Sequence, residues 1–162
     1  MSTLGLSIDI TNDLNSNAVQ VISRWIGCSN VIRNQKIQEF KNNIKNNIKN
    51  NIAPSQGYSS IKSNENLSFL KEVPPQILRN SASKVFGDLE ATRKGLRLFP
   101  KIKNKFKKRN CTITKELFFV EKLGDKSRIC IYNHAKKRKS ILFSIIVDVE
   151  SDRISNQLIL TR

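Results

Sequence analysis

The sequence predicts an α+β chain, a small antiparallel β-barrel or sandwich with a helical insertion after its first strand. Two observations carry this. The apolar spacing changes from period two to helical spacing after about residue 13 and returns to period two after Asn110. Between the two regimes lies a run of like charge that suits neither a helix interior nor a strand core. On this reading residues 1–13 hold the first barrel strand, 14–95 the helical insertion, and 96–162 a basic connector and the remaining strands.

Leu4, Leu6, Ile8 and Ile10 alternate with small or polar residues, the pattern of a half-buried strand, and Thr11, Asn12 and Asp13 break it. Val19, Ile22, Trp25 and Ile26 then recur at helical intervals, and Val31, Ile32 and Ile37 continue beyond Gly27. This predicts one kinked helix or two short ones, with Trp25 in the core. Residues 41–52, KNNIKNNIKNNI, place Ile44, Ile48 and Ile52 on one helical stripe and Lys41, Lys45 and Lys49 on another. Codon bias in an A/T-rich genome produces the same repeat, and Asn is a mediocre helix former. Pro54, Gly57 and four serines make 53–65 a loop.

Pro74 and Pro75 suit a helix start, because the first turn does not use the missing N–H. Ile77, Leu78, Ala82, Val85, Phe86 and Leu89 supply an apolar face to about Ala91, and Gly95 is a plausible stop. Beyond Asn110, Thr112, Thr114, Phe118 and Val120 predict a strand or two, and Gly124-Asp125 a turn. Ile129, Ile131 and His134 make the next strand. Ile141–Val149 is a β-branched run, turning at Glu150-Ser151-Asp152 into a hairpin partner over Ile154–Thr161.

A chain of 162 residues is one domain, or one with an insertion. Its charge is focused. Arg93, Lys94, Arg97, Lys101, Lys103, Lys105, Lys107, Lys108 and Arg109 contribute nine cations and no acid, and Lys136, Lys137, Arg138 and Lys139 four more, against a net charge of +16. Such focusing points to a polyanionic partner, nucleic acid first and an acidic membrane surface second. Phe99 and Phe106 are spaced among the charges. Extended, the segment sets Lys101, Lys103 and Lys105 on one face with Ile102 and Phe106 beneath, a groove-lining pattern in which cations meet phosphates and aromatics stack on bases.

Catalytic patterns are missing. There is no phosphate-binding loop, no dinucleotide-binding glycine pattern, and one histidine, His134, without a metal-ligand partner. Asp148, Glu150 and Asp152 alternate toward a turn and read as a polar edge rather than a two-metal nuclease site. Cys28, Cys111 and Cys130 are scattered and read as reduced thiols, not a zinc ribbon or a disulfide framework. No metal, cofactor or catalytic residue is expected. With no apolar run long enough to span a bilayer and no signal-peptide layout, a cytoplasmic location is expected.

Several segments resemble the N-terminal part of TnpB proteins, the transposon-associated RNA-guided nucleases also described as OrfB-type transposases. Trp25-Ile26-Gly27-Cys28, followed by Val31 and Asn34, is similar to that family's first helices. Val73-Pro74-Pro75-Gln76-Ile77-Leu78 and Pro100-Lys101-Ile102-Lys103 are similar to its V-P-x-Q-x-L helix and the Lys/Arg-Phe-Lys run after it, with Ile102 in place of the usual Phe. The segment CTITKELFFVE is also similar. The resemblance implies an oligonucleotide-binding-like wedge barrel with a helical recognition insertion, holding guide-type RNA and duplex DNA. The charge run places the nucleic-acid contacts on Arg93, Lys94, Arg97, Lys101, Lys103, Lys105, Phe106, Lys107, Lys108 and Arg109, with Lys136, Lys137 and Arg138 as a second patch. The family's RuvC-like nuclease half, with its catalytic acids and four-Cys zinc ribbon, has no counterpart here, so the resemblance implies binding without cleavage. Two other readings stay open: a basic interaction module for an acidic protein or anionic membrane, and one subunit of a split nuclease whose RuvC half is a separate chain.

Overall fold

In a computed structural model of the chain, the described residues are 7–46, 53–104, 107–133 and 140–162. A helical region precedes antiparallel sheets, an α+β arrangement. Helix α1 spans Ser16–Asn46, a short helix α2 Ser59–Lys62, and α3 Pro75–Arg93. The strands are β1 Asn110–Thr114, β2 Phe118–Leu123, β3 Lys126–Tyr132, β4 Ile141–Val147 and β5 Gln157–Thr161.

Helix α1 begins where Asn15 accepts the Ala18 N–H through Oδ1 at 2.8 Å, satisfying one of the unpaired donors of the first turn. It runs without a break through Gly27, one helix rather than two short ones. Ala18, Ile22, Trp25, Ile26, Cys28 and Ile32 form one buried stripe. Pro75 occupies the first turn of α3, as its position predicts, and Gly95 follows the helix at φ +74°, a conformation that suits a residue without Cβ. The two helices meet through small side chains: Ser81 Oγ donates to the Ser29 carbonyl at 2.5 Å, with Ala82 buried beside it.

The strands form two sheets. One holds β1 paired with β5, and the other has the order β2-β3-β4, all antiparallel. No closed barrel forms among the described residues. Gly124, at φ +66°, makes the β2–β3 turn that the sequence predicts. Strand β5 departs from expectation. It leaves β4 through a 3-10 turn at Ser151–Arg153 and pairs with β1, in register Cys111↔Leu160. Burial explains the choice, since Cys111 and Leu160 both enter the core formed with α1. The predicted first strand also departs: residues 7–10 join no sheet, Thr11–Asp13 is a 3-10 turn, and Ile8 is exposed. Residues 1–6 lie outside the described residues.

One core unites α1, α3, the 3-10 segment Glu65–Glu72 and both sheets around Trp25, Leu70, Ile77, Ile113, Leu117 and Phe118. A second cluster joins Ile37 and Phe40 of α1 to Val85 and Leu89 of α3, with Phe99 packed against it. Lys36 is only 2% exposed. Its Nζ donates to Glu39 Oε2 at 2.8 Å and to the Gly57 carbonyl at 2.7 Å, tying the 53–58 loop to α1.

Helix α3 is held to β1 by polar contacts. Asn80 Nδ2 donates to the Thr112 carbonyl at 3.1 Å, and Arg79 pairs with Glu116 at 2.8 Å. The Thr114 hydroxyl and the Arg79 guanidinium both donate to Glu116 and hold its carboxyl down at about 2 from an ordinary 4.5. A depressed carboxyl contributes stability that is full above its unfolded pKa and lost as pH falls through the folded one. The pair is partly exposed, so the contribution is modest, about 1 kcal/mol or less. Glu116→Gln should therefore lower the urea midpoint slightly at neutral pH. The gap from wild type should narrow below pH 4.5 and close near pH 2.

Candidate nucleic-acid interface

The basic run is fixed to α1 by its backbone. Downstream of α3, residues 98–104 carry no helix or strand hydrogen bonding of their own, so their polar groups need partners from elsewhere. Asn34 supplies two: its Oδ1 accepts the Lys103 N–H at 3.1 Å and its Nδ2 donates to the Lys103 carbonyl at 2.7 Å. Asn30 Nδ2 donates to the same carbonyl at 3.2 Å, and Arg33 Nη1 to the Lys101 carbonyl at 2.8 Å. One face of α1 thus pairs with the extended connector much as a strand edge would.

Upstream, Phe99 anchors the connector. Its ring stacks on Phe40 at 6.0 Å between centroids, and Lys41 Nζ lies 5.4 Å from the Phe99 centroid. Thr92 Oγ1 donates to the Leu98 carbonyl at 3.2 Å, holding the turn after α3. Downstream, Arg109 and Arg162 exchange backbone hydrogen bonds at 3.1 and 3.0 Å, extending the β1–β5 ladder by one pair.

This framework sorts the predicted contacts. Lys94, Lys101, Lys107 and Lys108 are exposed and make no ion pair among the described residues. Arg93 is neutralised by Glu90, whose Oε2 accepts from both Nε and Nη2. Arg97 pairs with Asp88. Arg109 is half-buried beside β5. Lys105, Phe106, Lys136, Lys137 and Arg138 lie outside the described residues.

The expected alternation does not hold at 102–103. Ile102 is exposed and Lys103 half-buried, because the bonds to Asn34 set which way the backbone turns. Leu96 and Leu98 are also exposed, at 77% and 94%, so the surface mixes cations with apolar side chains.

Lys103 has cationic neighbours that the run itself does not contain. Its ammonium is pushed below its ordinary pKa first by burial and then by Arg33 and Lys84, with Asp88 acting in the opposite sense. Arg33 is likewise lowered by burial and supported by Asp88. Cations from α1, α3 and the connector therefore crowd one locality with a single acid acting on both Arg33 and Lys103, an arrangement that favours a bound anion. Arg33 and Lys84 were missed by sequence reasoning. They stand singly in helical segments, and only tertiary packing brings them to the connector.

Elsewhere the described residues bring no three His, Cys, Asp or Glu side chains together as a metal site. Asp148 and Glu150 precede the 3-10 turn between β4 and β5, and Asp152 lies within it. Cys28 and Cys111 are buried, and burial pushes their thiols up to about 11 and about 12. Cys130 is buried and raised as well. All three stay protonated at neutral pH, which makes them poor nucleophiles and poor ligands. No described helix is long and apolar enough to cross a membrane. No family model, curated protein or solved structure matches the chain.

Asn34→Ala removes both side-chain bonds to Lys103. It should destabilise the chain by about 1–2 kcal/mol and abolish hydrogen-exchange protection at the Lys103 amide, leaving the β2–β3 amides protected. Unchanged protection at Lys103 would show that the clamp does not hold the connector.

Proposed function

We propose that the chain is a non-catalytic nucleic-acid-binding protein whose connector contacts the phosphate backbone. The observation that carries this is the backbone clamp: Asn30, Arg33 and Asn34 hold 101–103 by main-chain atoms, which leaves the lysine side chains available to a polyanion. The crowding around Lys103 adds to it, since like charges pressed together are relieved by a phosphate. The resemblance to TnpB proteins gives the finer reading, in which the helices are a recognition-type insertion and the strands an oligonucleotide-binding-like wedge that holds guide-type RNA beside duplex DNA. A separate RuvC-containing chain would then supply any cleavage. In that reading the protein works in the cytoplasm.

Six cations, Lys101, Lys103, Lys105, Lys107, Lys108 and Arg109, are assigned to phosphates. Their neutralisation predicts that log K falls with log[salt] at a slope near −5 on duplex DNA and about −4 on single strands. Replacing Lys101, Lys103 and Lys105 together by Glu should abolish binding and RNA co-purification while the circular dichroism spectrum is kept. A salt-independent affinity, or RNA recovery unaffected by the triple substitution, would overturn the proposal.

A second reading is favoured by one observation, the exposure of Leu96, Leu98 and Ile102 beside the cations. Apolar side chains among basic ones also suit an anionic membrane surface. Vesicles of phosphatidylserine and phosphatidylcholine separate the two. Saturable vesicle binding that is lost in a Leu96→Ser/Leu98→Ser variant, with no saturable RNA complex, would favour the membrane.

A further inference from the structure

Asp88 sits among cations drawn from three parts of the fold. Lys84 lies one turn earlier on α3, Arg97 comes from the turn after α3 and pairs with the carboxylate, and Arg33 and Lys103 feel its charge from the clamp. The nearby Glu90 is engaged by Arg93 through two bonds.

The Arg97–Asp88 pair is not what holds the turn in place. Thr92 holds the Leu98 carbonyl, Phe99 stacks on Phe40, and Arg33 holds the Lys101 carbonyl. The Arg97 side chain is well exposed, and a partly exposed ion pair adds little to stability. What the pair does is electrostatic. It places one negative charge, at fixed geometry, where a cluster of cations would otherwise repel itself, and it keeps Arg97 folded back onto α3.

We propose that Asp88 is an internal stand-in for a backbone phosphate: a phosphodiester seated by Lys103, Arg33 and Lys84 competes with the Asp88 carboxylate for Arg97. The inference rests on the nucleic-acid reading of this surface and adds a regulatory element to it. Asp88 weakens binding to any polyanion twice over. It repels the incoming phosphate, and it withholds one cation from it. Only a ligand that also satisfies the surrounding cations makes up for the loss, so the carboxylate raises the threshold against short or weakly charged ligands.

The experiment measures binding of labelled single-stranded RNA and duplex DNA over a range of salt by fluorescence anisotropy. It compares wild type with Asp88→Asn, Arg97→Gln, the double variant, and Asp125→Asn. Asp125, in the β2–β3 turn, controls for a change of one unit of net charge. Asp88→Asn should bind about fivefold more tightly at low salt, as expected for removal of one nearby like charge. Its slope on duplex DNA should steepen by about 0.9, as Arg97 joins the contacts. Arg97→Gln should weaken binding, and Arg97→Gln/Asp88→Asn should bind more tightly than Arg97→Gln alone. That comparison tests the idea through a second background if Asp88→Asn folds poorly. An Asp88→Asn chain that binds no tighter than Asp125→Asn, together with no recovery in the double variant, overturns the inference while nucleic-acid binding stands. A wild-type chain with no saturable, salt-sensitive binding to either probe overturns the nucleic-acid reading and this inference with it.

Discussion

A run of cations cannot fold by its own contacts, and here neutral amides from another element fix its backbone. Asn34 satisfies both main-chain groups of Lys103, Asn30 shares that carbonyl, and Arg33 holds the carbonyl of Lys101. Helix α1 needs its length for this. At 31 residues it reaches about 45 Å, so a single rod carries the core stripe from Ala18 to Ile32, the clamp from Asn30 to Asn34, and the second cluster at Ile37 and Phe40. The clamp faces the connector at the level where α3 crosses, and Ser29 with Ser81 lets the two helices come close there. Remove the clamp, and the main-chain groups of Lys101 and Lys103 lose the side-chain partners that α1 gives them.

Local chemistry was legible in the sequence where it alone decides the outcome. The switch of apolar period marked the boundary between helical and strand regions, Pro75 the start of α3, Gly95 its stop and Gly124 a turn, both glycines at positive φ. Choices made by distant residues were not legible. A turn at 150–152 suggests a β4–β5 hairpin, but burying Leu160 next to Cys111 sends β5 to β1. The interval at Gly27 looked like a break, and the packing of Trp25, Ile26 and Cys28 on both sides of it keeps α1 continuous. Period two at the start of the chain suggests a strand, yet residues 7–10 join no sheet.

The same division applies to the candidate site. The charge run is visible in one dimension, but its orientation is not, because the bonds from Asn34 decide that Ile102 faces out and Lys103 turns in. Arg33 and Lys84 give no signal among the other polar residues of α1 and α3. Lys36 shows the reverse error that counting charges invites. It contributes to the same positive total, yet it is buried and spent on Glu39 and the Gly57 carbonyl, unavailable to any partner. Composition therefore counts the cations, and packing decides which of them remain open to any partner.

Crowding has an energetic consequence beyond attraction. Burial and two cationic neighbours oppose the charged form of Lys103, so the folded state carries electrostatic strain at the point where the connector is held most firmly. The Asn30 and Asn34 bonds to Lys103 tolerate that strain because neither partner in them is charged. An anion bound there, as the proposed function has it, relieves the strain and by linkage stabilises the fold as well. Lys103 is thus held through its main chain by neutral amides while burial, Arg33 and Lys84 oppose the charge on its side chain.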